Sequence, residues 1–221
     1  MEALSAYSKF AGCYDRWQRI RKQYSLHWTN GNESLQAMQR FFNTDLTLES
    51  MCSKIREMIR VLPEHMAAVV RFAVLTGLRP SEACESVRLI SGNNSIGYYN
   101  QEQQCLCHYL YPDIFLRTTK KAYLSYLSLD NYHYFSKIGS NTPTWNAIRS
   151  ACKRRNIDMN MRFCRRIFAS WLIREGIDST TVDLLSGRVP SSVLARHYLT
   201  PDSSLKNKVL EAVYELQREI K

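Results

Sequence analysis

Apolar positions recur with a helical period from residue 47 onward. Met51, Ile55, Met58, Ile59 and Leu62 fall at i, i+4, i+7, i+8 and i+11, one stripe of a half-buried helix whose start Thr47 can cap. Pro63 suits the first turn of a following helix, with Met66, Val69, Val70, Ala73 and Val74 on its apolar side and Gly77 as its stop. Pro80 again fits a first helical position, which puts Arg79 at the junction before a new helix. Between 88 and 128 the period changes. Gly92-Asn93-Asn94 signals a turn, and 96–99, 105–111, 113–116 and 122–127 are rich in Tyr, Ile and Leu with partial alternation. This predicts a small antiparallel sheet of about three strands, with Arg117-Thr118-Thr119-Lys120-Lys121 as the turn between the last two.

Helical spacing then returns. Residues 143–154 place Trp145, Ile148 and Cys152 on one face and carry a basic run of Arg149, Lys153, Arg154 and Arg155. Residues 161–175 bury Cys164, Ile167, Phe168, Trp171 and Leu172, and Gly176 stops that helix. A short helix at 180–185 ends at Gly187. After Pro190, Ser191 can cap another, in which Val193, Leu194 and His197 are helically spaced, Tyr198 lies near the end and Pro201 closes. In 205–220, Val209, Val213 and Leu216 predict a C-terminal helix that packs at home or on a neighbour. Upstream, Tyr14, Trp17, Ile20 and Tyr24 share a helical spacing, with Arg16, Arg19, Arg21 and Lys22 on the other faces. Asn30-Gly31-Asn32 interrupts, and a second helix is expected at 34–42. The fold class is α+β and mainly α-helical. It divides into an N-terminal helical segment at 1–46 and a main domain at 47–221.

With 45% apolar residues the chain can bury a core, which excludes wholesale disorder. Thirty Lys and Arg against twenty Asp and Glu leave a net charge of +10. That excess points to a polyanionic partner, nucleic acid being the usual one. The seven cysteines are irregularly spaced. Cys105-Leu106-Cys107-His108 has no second pair at zinc-finger distance, so small buried thiols in a reduced compartment are expected and no metal site. No apolar run approaches the ~20 residues of a membrane span. The first ten residues lack signal-peptide form. The expected location is the cytoplasm, in association with DNA.

Five features remain that carry chemistry. Arg79 stands at a helix start, where backbone N–H groups also face an anion. A lysine pair lies in a hairpin. Arg162 and Arg165 are three apart on one helix side. Arg188 follows a glycine, and Tyr198 offers a phenol. A phosphodiester under attack gathers negative charge on its non-bridging oxygens, and planar guanidiniums meet that charge with paired hydrogen bonds. Glu82, one turn after Arg79, reads as a residue that orients it.

In this order and on these elements the residues resemble the tyrosine recombinase, or phage integrase, family over about 46–221. Thr76-Gly77-Leu78-Arg79-Pro80-Ser81-Glu82-Ala83 is similar to the family's first arginine box. Arg162-Phe163-Cys164-Arg165 stands where the family has His-x-x-Arg. The phrase from Ser186 to Leu199 resembles archaeal integrases of the fusellovirus type. Arginine replaces the family's His at 162 and its His or Trp at 188.

The resemblance implies a catalytic domain at 47–221 with a C-terminal exchange helix. Residues 1–46 are then either a solvated basic helix pair or the remnant of a core-binding domain. It also implies Tyr198 as nucleophile, Arg79, Arg165, Arg162 and Arg188 as the phosphate clamp, and a hairpin lysine as proton donor. Lys120 is preferred over Lys121, with Arg117 as a further option. Arginine stays protonated, so Arg162 cannot be a general base, and the base for Tyr198 is unassigned. Lys121, Arg117, Arg166, Lys153 and Arg154 are expected to contact DNA. The expected partner is double-stranded DNA at attachment sites, bound by a homo-tetramer that is monomeric or dimeric when free. No cofactor and no metal is implied. The implied activity is site-specific integration and excision of a viral or plasmid element. The alternatives are type IB topoisomerase activity and a DNA-binding module with lapsed catalysis.

Overall fold

Thr47 opens the first long helix, α3 (Leu48–Val61), its hydroxyl accepting from the Ser50 N–H at 3.1 Å. The computed structural model describes residues 2–26, 47–92, 97–117, 120–138, 142–157, 162–188 and 204–221, with the backbone alone at 2, 117, 120 and 162. The chain divides into two units, Met1–Asp45 and Leu46–Lys221. In the first, α1 (Glu2–Phe10) and α2 (Tyr14–Gln23) are joined by a turn at Gly12, and Trp17 Nε1 donates to Ser5 Oγ at 2.9 Å. The sequence reading had not identified α1. The helix expected at 34–42 lies outside the described residues.

The second unit is organised around α4 (Glu64–Thr76). Ala67 to Val70 and Phe72 to Leu75 are all fully buried. A helix apolar on every side belongs at the centre of a core. Three helices pack on it: α3, α5 (Pro80–Ser91) and α9 (Arg162–Arg174). The C-terminal helix α11 (Leu205–Glu219) docks on α9, α4 and the sheet of the same unit. Val209, Ala212, Val213 and Leu216 are its buried face. Trp171 Nε1 donates to the Ala212 carbonyl at 2.9 Å, and Arg56 Nη1 donates to the Glu219 carbonyl and carboxylate at 2.9 Å each.

The expected antiparallel sheet is present with three strands, β1 (Tyr99–Asn100), β2 (Cys105–Cys107) and β5 (Leu124–Tyr126), in the order β1-β2-β5. Leu106 pairs with Tyr99 on one side and Ser125 on the other. Two strand assignments need correction. Of the strand expected at 113–116 only Leu116 lies in one, as the first residue of a hairpin strand: Pro112 begins a single helical turn, α6 (Pro112–Phe115), for which its fixed φ is suited. The segment at 105–111 leaves the sheet after Cys107 and enters a 3₁₀ turn at His108–Leu110. The lysine turn is a two-stranded hairpin of its own, β3 (Leu116–Arg117) with β4 (Lys120–Lys121), in which Arg117 faces Lys120 and Leu116 faces Lys121. After β5 the chain forms α7 (Leu129–Ser136), absent from the sequence reading, then α8 (Trp145–Arg154), α9 and α10 (Ser179–Leu185).

All seven cysteines are unpaired thiols, and all but Cys13 are buried. Desolvation is the leading cause that pushes Cys52 and Cys84 up to about 11 and Cys164 up to about 12. Thiols of that kind are poor nucleophiles and act as small apolar side chains.

A buried polar chain joins α5 to the sheet. Ser86 Oγ and Tyr98 Oη are 2.6 Å apart, Tyr98 Oη and His108 Nδ1 2.8 Å, and His108 Nε2 and Ser125 Oγ 2.9 Å. His108 is wholly buried, and burial lowers its pKa to about 3. The ring is neutral in the fold, whereas in the unfolded chain it titrates near ~6.5. Between these values the unfolded chain binds a proton that the native state refuses, so stability falls as pH falls through that window. Urea denaturation should lose roughly 2 kcal/mol from this group between pH 7 and pH 5. His108→Gln should be less stable at pH 7 and show a correspondingly flatter pH dependence. Equal pH dependence in the two proteins would show that His108 is not held neutral.

Candidate active site

The site begins where α4 turns into α5. Gly77 takes the left-handed conformation (φ +65°), and a Cβ there would lie 2.3 Å from Phe168 Cδ1 of α9. Only glycine fits both conditions. Two residues later Arg79 occupies the N-cap of α5 in an extended conformation, with Pro80 in the first turn. The Glu82 carboxylate, fully buried, reaches back. Its Oε2 accepts from the Arg79 backbone N–H at 3.0 Å, and its Oε1 accepts from Arg79 Nη1 at 2.9 Å. A carboxylate in the first turn is favoured by the helix dipole. Here it also fixes the direction of the Arg79 guanidinium, on a side chain that is 18% exposed. Glu82 thus orients Arg79, as the sequence reading expected.

Arg165 approaches from α9. Its Nη2 donates to the Ser186 carbonyl at 2.7 Å, in the turn after α10. Its pKa is lowered, first by burial and next by the positive charge of Arg79; Glu82 opposes this, and Arg188 adds to it. Arginine remains protonated under such shifts. Arg79, Glu82 and Arg188 therefore all act on Arg165, across α5, α9 and the turn after α10. Three cations face two carboxylates, Glu82 and the Asp183 beside Arg188, and the one surplus positive charge is what a bound anion would relieve.

Arg188 is more loosely held. Its side chain is 70% exposed, with Nη1 3.0 Å from Asp183 Oδ1, while its backbone N–H donates to the Asp183 carbonyl at 2.8 Å. Gly187, just before it, has φ +72°, and its carbonyl accepts from the Lys121 N–H of β4 at 3.4 Å. The lysine hairpin thus touches the same turn that receives Arg165. Lys121 is half-buried. Arg166 is exposed on α9, and Lys153 and Arg154 are exposed on α8 with no ion-pair partner among the described residues. Tyr198 and the side chains of Arg117, Lys120 and Arg162 lie outside what is described.

Two participants escaped the sequence reading: the Ser186 carbonyl and the backbone seat of Gly187 on the hairpin. Both are main-chain groups, and side-chain patterns carry no signal for them beyond the bare glycine.

A mainly helical domain with a small three-stranded antiparallel sheet is consistent with an integrase catalytic domain. A family model described as archaeal phage integrase matches residues 47–208, and the chain belongs to that family. The match begins at the head of the second unit and ends within α11. Neither the curated proteins nor the solved structures include a match. Among the described residues no helix is long and apolar enough to cross a membrane.

Glu82→Gln tests the electrostatics of the site. The amide keeps the shape but leaves the nearby guanidiniums without their buried counter-charge. Breaking a buried pair costs about 3–5 kcal/mol, less where one partner reaches solvent. The variant should lose roughly 2–4 kcal/mol in urea denaturation, and millimolar sulfate should restore more stability to it than to the wild type. Unchanged stability would mean that Glu82 does not carry the charge of the site.

Proposed function

We propose that the protein is a site-specific DNA recombinase that integrates and excises a viral or plasmid element through a 3′-phosphotyrosyl intermediate. The supporting observation is that Arg79 and Arg165, on different helices, each have a fixed acceptor and lie within electrostatic reach of one another. Family membership over residues 47–208 gives that pair its meaning.

In this reading Arg79 and Arg165 bind the non-bridging oxygens of the scissile phosphate, assisted by Arg162 and Arg188. The Tyr198 phenol loses its proton to solvent and its oxygen attacks phosphorus. The bond from phosphorus to the 5′ oxygen breaks, and a hairpin lysine, Lys120 in preference to Lys121, delivers a proton to that oxygen. The phosphotyrosyl ester conserves the bond, so a 5′ hydroxyl from another strand can reverse the reaction without a nucleotide cofactor. Loss of one preorganised donor in such a site costs about 3 kcal/mol of barrier, roughly a hundredfold in rate.

The wider surface fits duplex DNA. Arg166, Lys153, Arg154, Lys121 and Arg117 are assigned to phosphates flanking the cut, and binding by such contacts weakens steeply with salt. A homo-tetramer on paired attachment sites is the assembly this chemistry requires for strand exchange, with α11, which docks on its own unit here, as the helix that would pass between subunits on DNA and residues 1–46 as part of a DNA clamp.

Tyr198→Phe removes the nucleophile and no charge. On a nicked suicide duplex it should form no covalent adduct while binding the duplex as tightly as the wild type. An undiminished adduct would rule out Tyr198. A wild-type protein that binds but leaves every nicked duplex intact would favour lapsed catalysis.

A further inference from the structure

The turn after α10 does more than carry Arg188. Its three residues meet three parts of the site. The Ser186 carbonyl accepts from Arg165 at 2.7 Å, the Gly187 carbonyl accepts from the Lys121 N–H at 3.4 Å, and Arg188 follows. The contact at Gly187 is also steric. A Cβ on Gly187 would lie 2.7 Å from the Lys121 carbonyl oxygen, 3.0 Å from its carbon and 3.2 Å from the Ala122 nitrogen. All three are main-chain atoms, which cannot swing aside as a side chain can. Ala122 is buried, and its N–H donates to the Phe115 carbonyl at 3.0 Å, so the hairpin is anchored behind the contact. A side chain at 187 would therefore displace β4 as a whole or push the turn away from it.

We propose that Gly187 is a positioning residue for the leaving-group acid: its bare Cα sets the lysine hairpin in register with the arginine pair. This rests on the recombinase reading given above. The step it controls is the second half of cleavage. As Tyr198 oxygen bonds to phosphorus, the electron pair of the breaking bond moves onto the 5′ oxygen, and the lysine ammonium gives that oxygen its proton and becomes a neutral amine. Displacing β4 starves this transfer and leaves phosphate binding by Arg79 and Arg165 in place.

A duplex carrying sulfur in place of the bridging 5′ oxygen separates the two halves. A thiol ionises near ~8.5, so a thiolate departs as the anion and needs no proton. Single-turnover cleavage by Gly187→Ala should fall at least tenfold on the oxygen duplex and return to within about threefold of wild type on the sulfur duplex. Arg79→Gln should be slow on both. Gly176→Ala is the control for backbone strain alone. Gly176 has φ +81° and nothing within 4 Å of its added Cβ, so this variant should lose some stability yet cut both duplexes as the wild type does. Gly187→Asn is measured alongside, because asparagine accepts a left-handed φ more readily than alanine while still adding the offending carbon.

Equal slowing on the two duplexes, undiminished cleavage of the oxygen duplex, or the same split in Gly176→Ala would overturn the proposal. So would two Gly187 variants too unstable to bind DNA, since the contact would then serve the whole domain and not the lysine step. A wild-type protein inert on both duplexes would instead overturn the recombinase reading itself.

Discussion

One buried carboxylate holds the site together. Glu82 is removed from water and would be costly there without a partner. Arg79 supplies that partner twice, through its guanidinium and through the backbone N–H at the start of α5. The second contact matters as much as the first, because it ties the direction of a long side chain to the axis of a helix. The positive charges of Arg165 and Arg188 also reach this neighbourhood. Glu82, with Asp183 paired to Arg188, is enough to allow the three arginines to gather and too little to neutralise them all. That imbalance gives the fold a standing demand for an anion.

The elements around this pair are fixed by features with little tolerance. Gly77 admits the ring of Phe168 and so brings α9 against the end of α4. The chain from Ser86 to Ser125 through Tyr98 and His108 fastens α5 to the sheet. Gly187 brings the hairpin to the turn that receives Arg165. Elsewhere on the second unit some arginines are matched by nearby carboxylates, as in Arg88 with Glu85 and Arg218 with Glu215. Exposed pairs of that kind contribute little to stability. Lys153 and Arg154 on α8 have no such match among the described residues, which leaves their charge available to a polyanion.

Much of this was legible in the chain. The boundaries of α3, α4 and α5 follow from Thr47, Pro63, Gly77 and Pro80, each of which acts locally on the backbone. Arg79 and Glu82 could be paired from spacing alone, since one helical turn separates them. The helix α7 was missed because its tyrosines and histidine do not form a clear apolar stripe; Ser128, which caps it by accepting from the Asn131 N–H, was the available clue. The strand assigned to 113–116 ignored Pro112, whose preference for a helical first turn prevailed. The partners of His108 were beyond reach, because a buried histidine looks like any other until its neighbours in space are known. The same holds for the carbonyl of Ser186 and the seat of Gly187.

In the proposed reaction Arg79 and Arg165 serve one phosphate. A double-mutant cycle measures this directly: Arg79→Gln and Arg165→Gln, singly and together, read by single-turnover cleavage of a nicked attachment-site duplex. Groups that share a charge environment are coupled, typically by about 0.5–3 kcal/mol. The predicted result is a double variant whose loss falls well short of the product of the two single losses. Losses that multiply without any coupling would contradict a shared site.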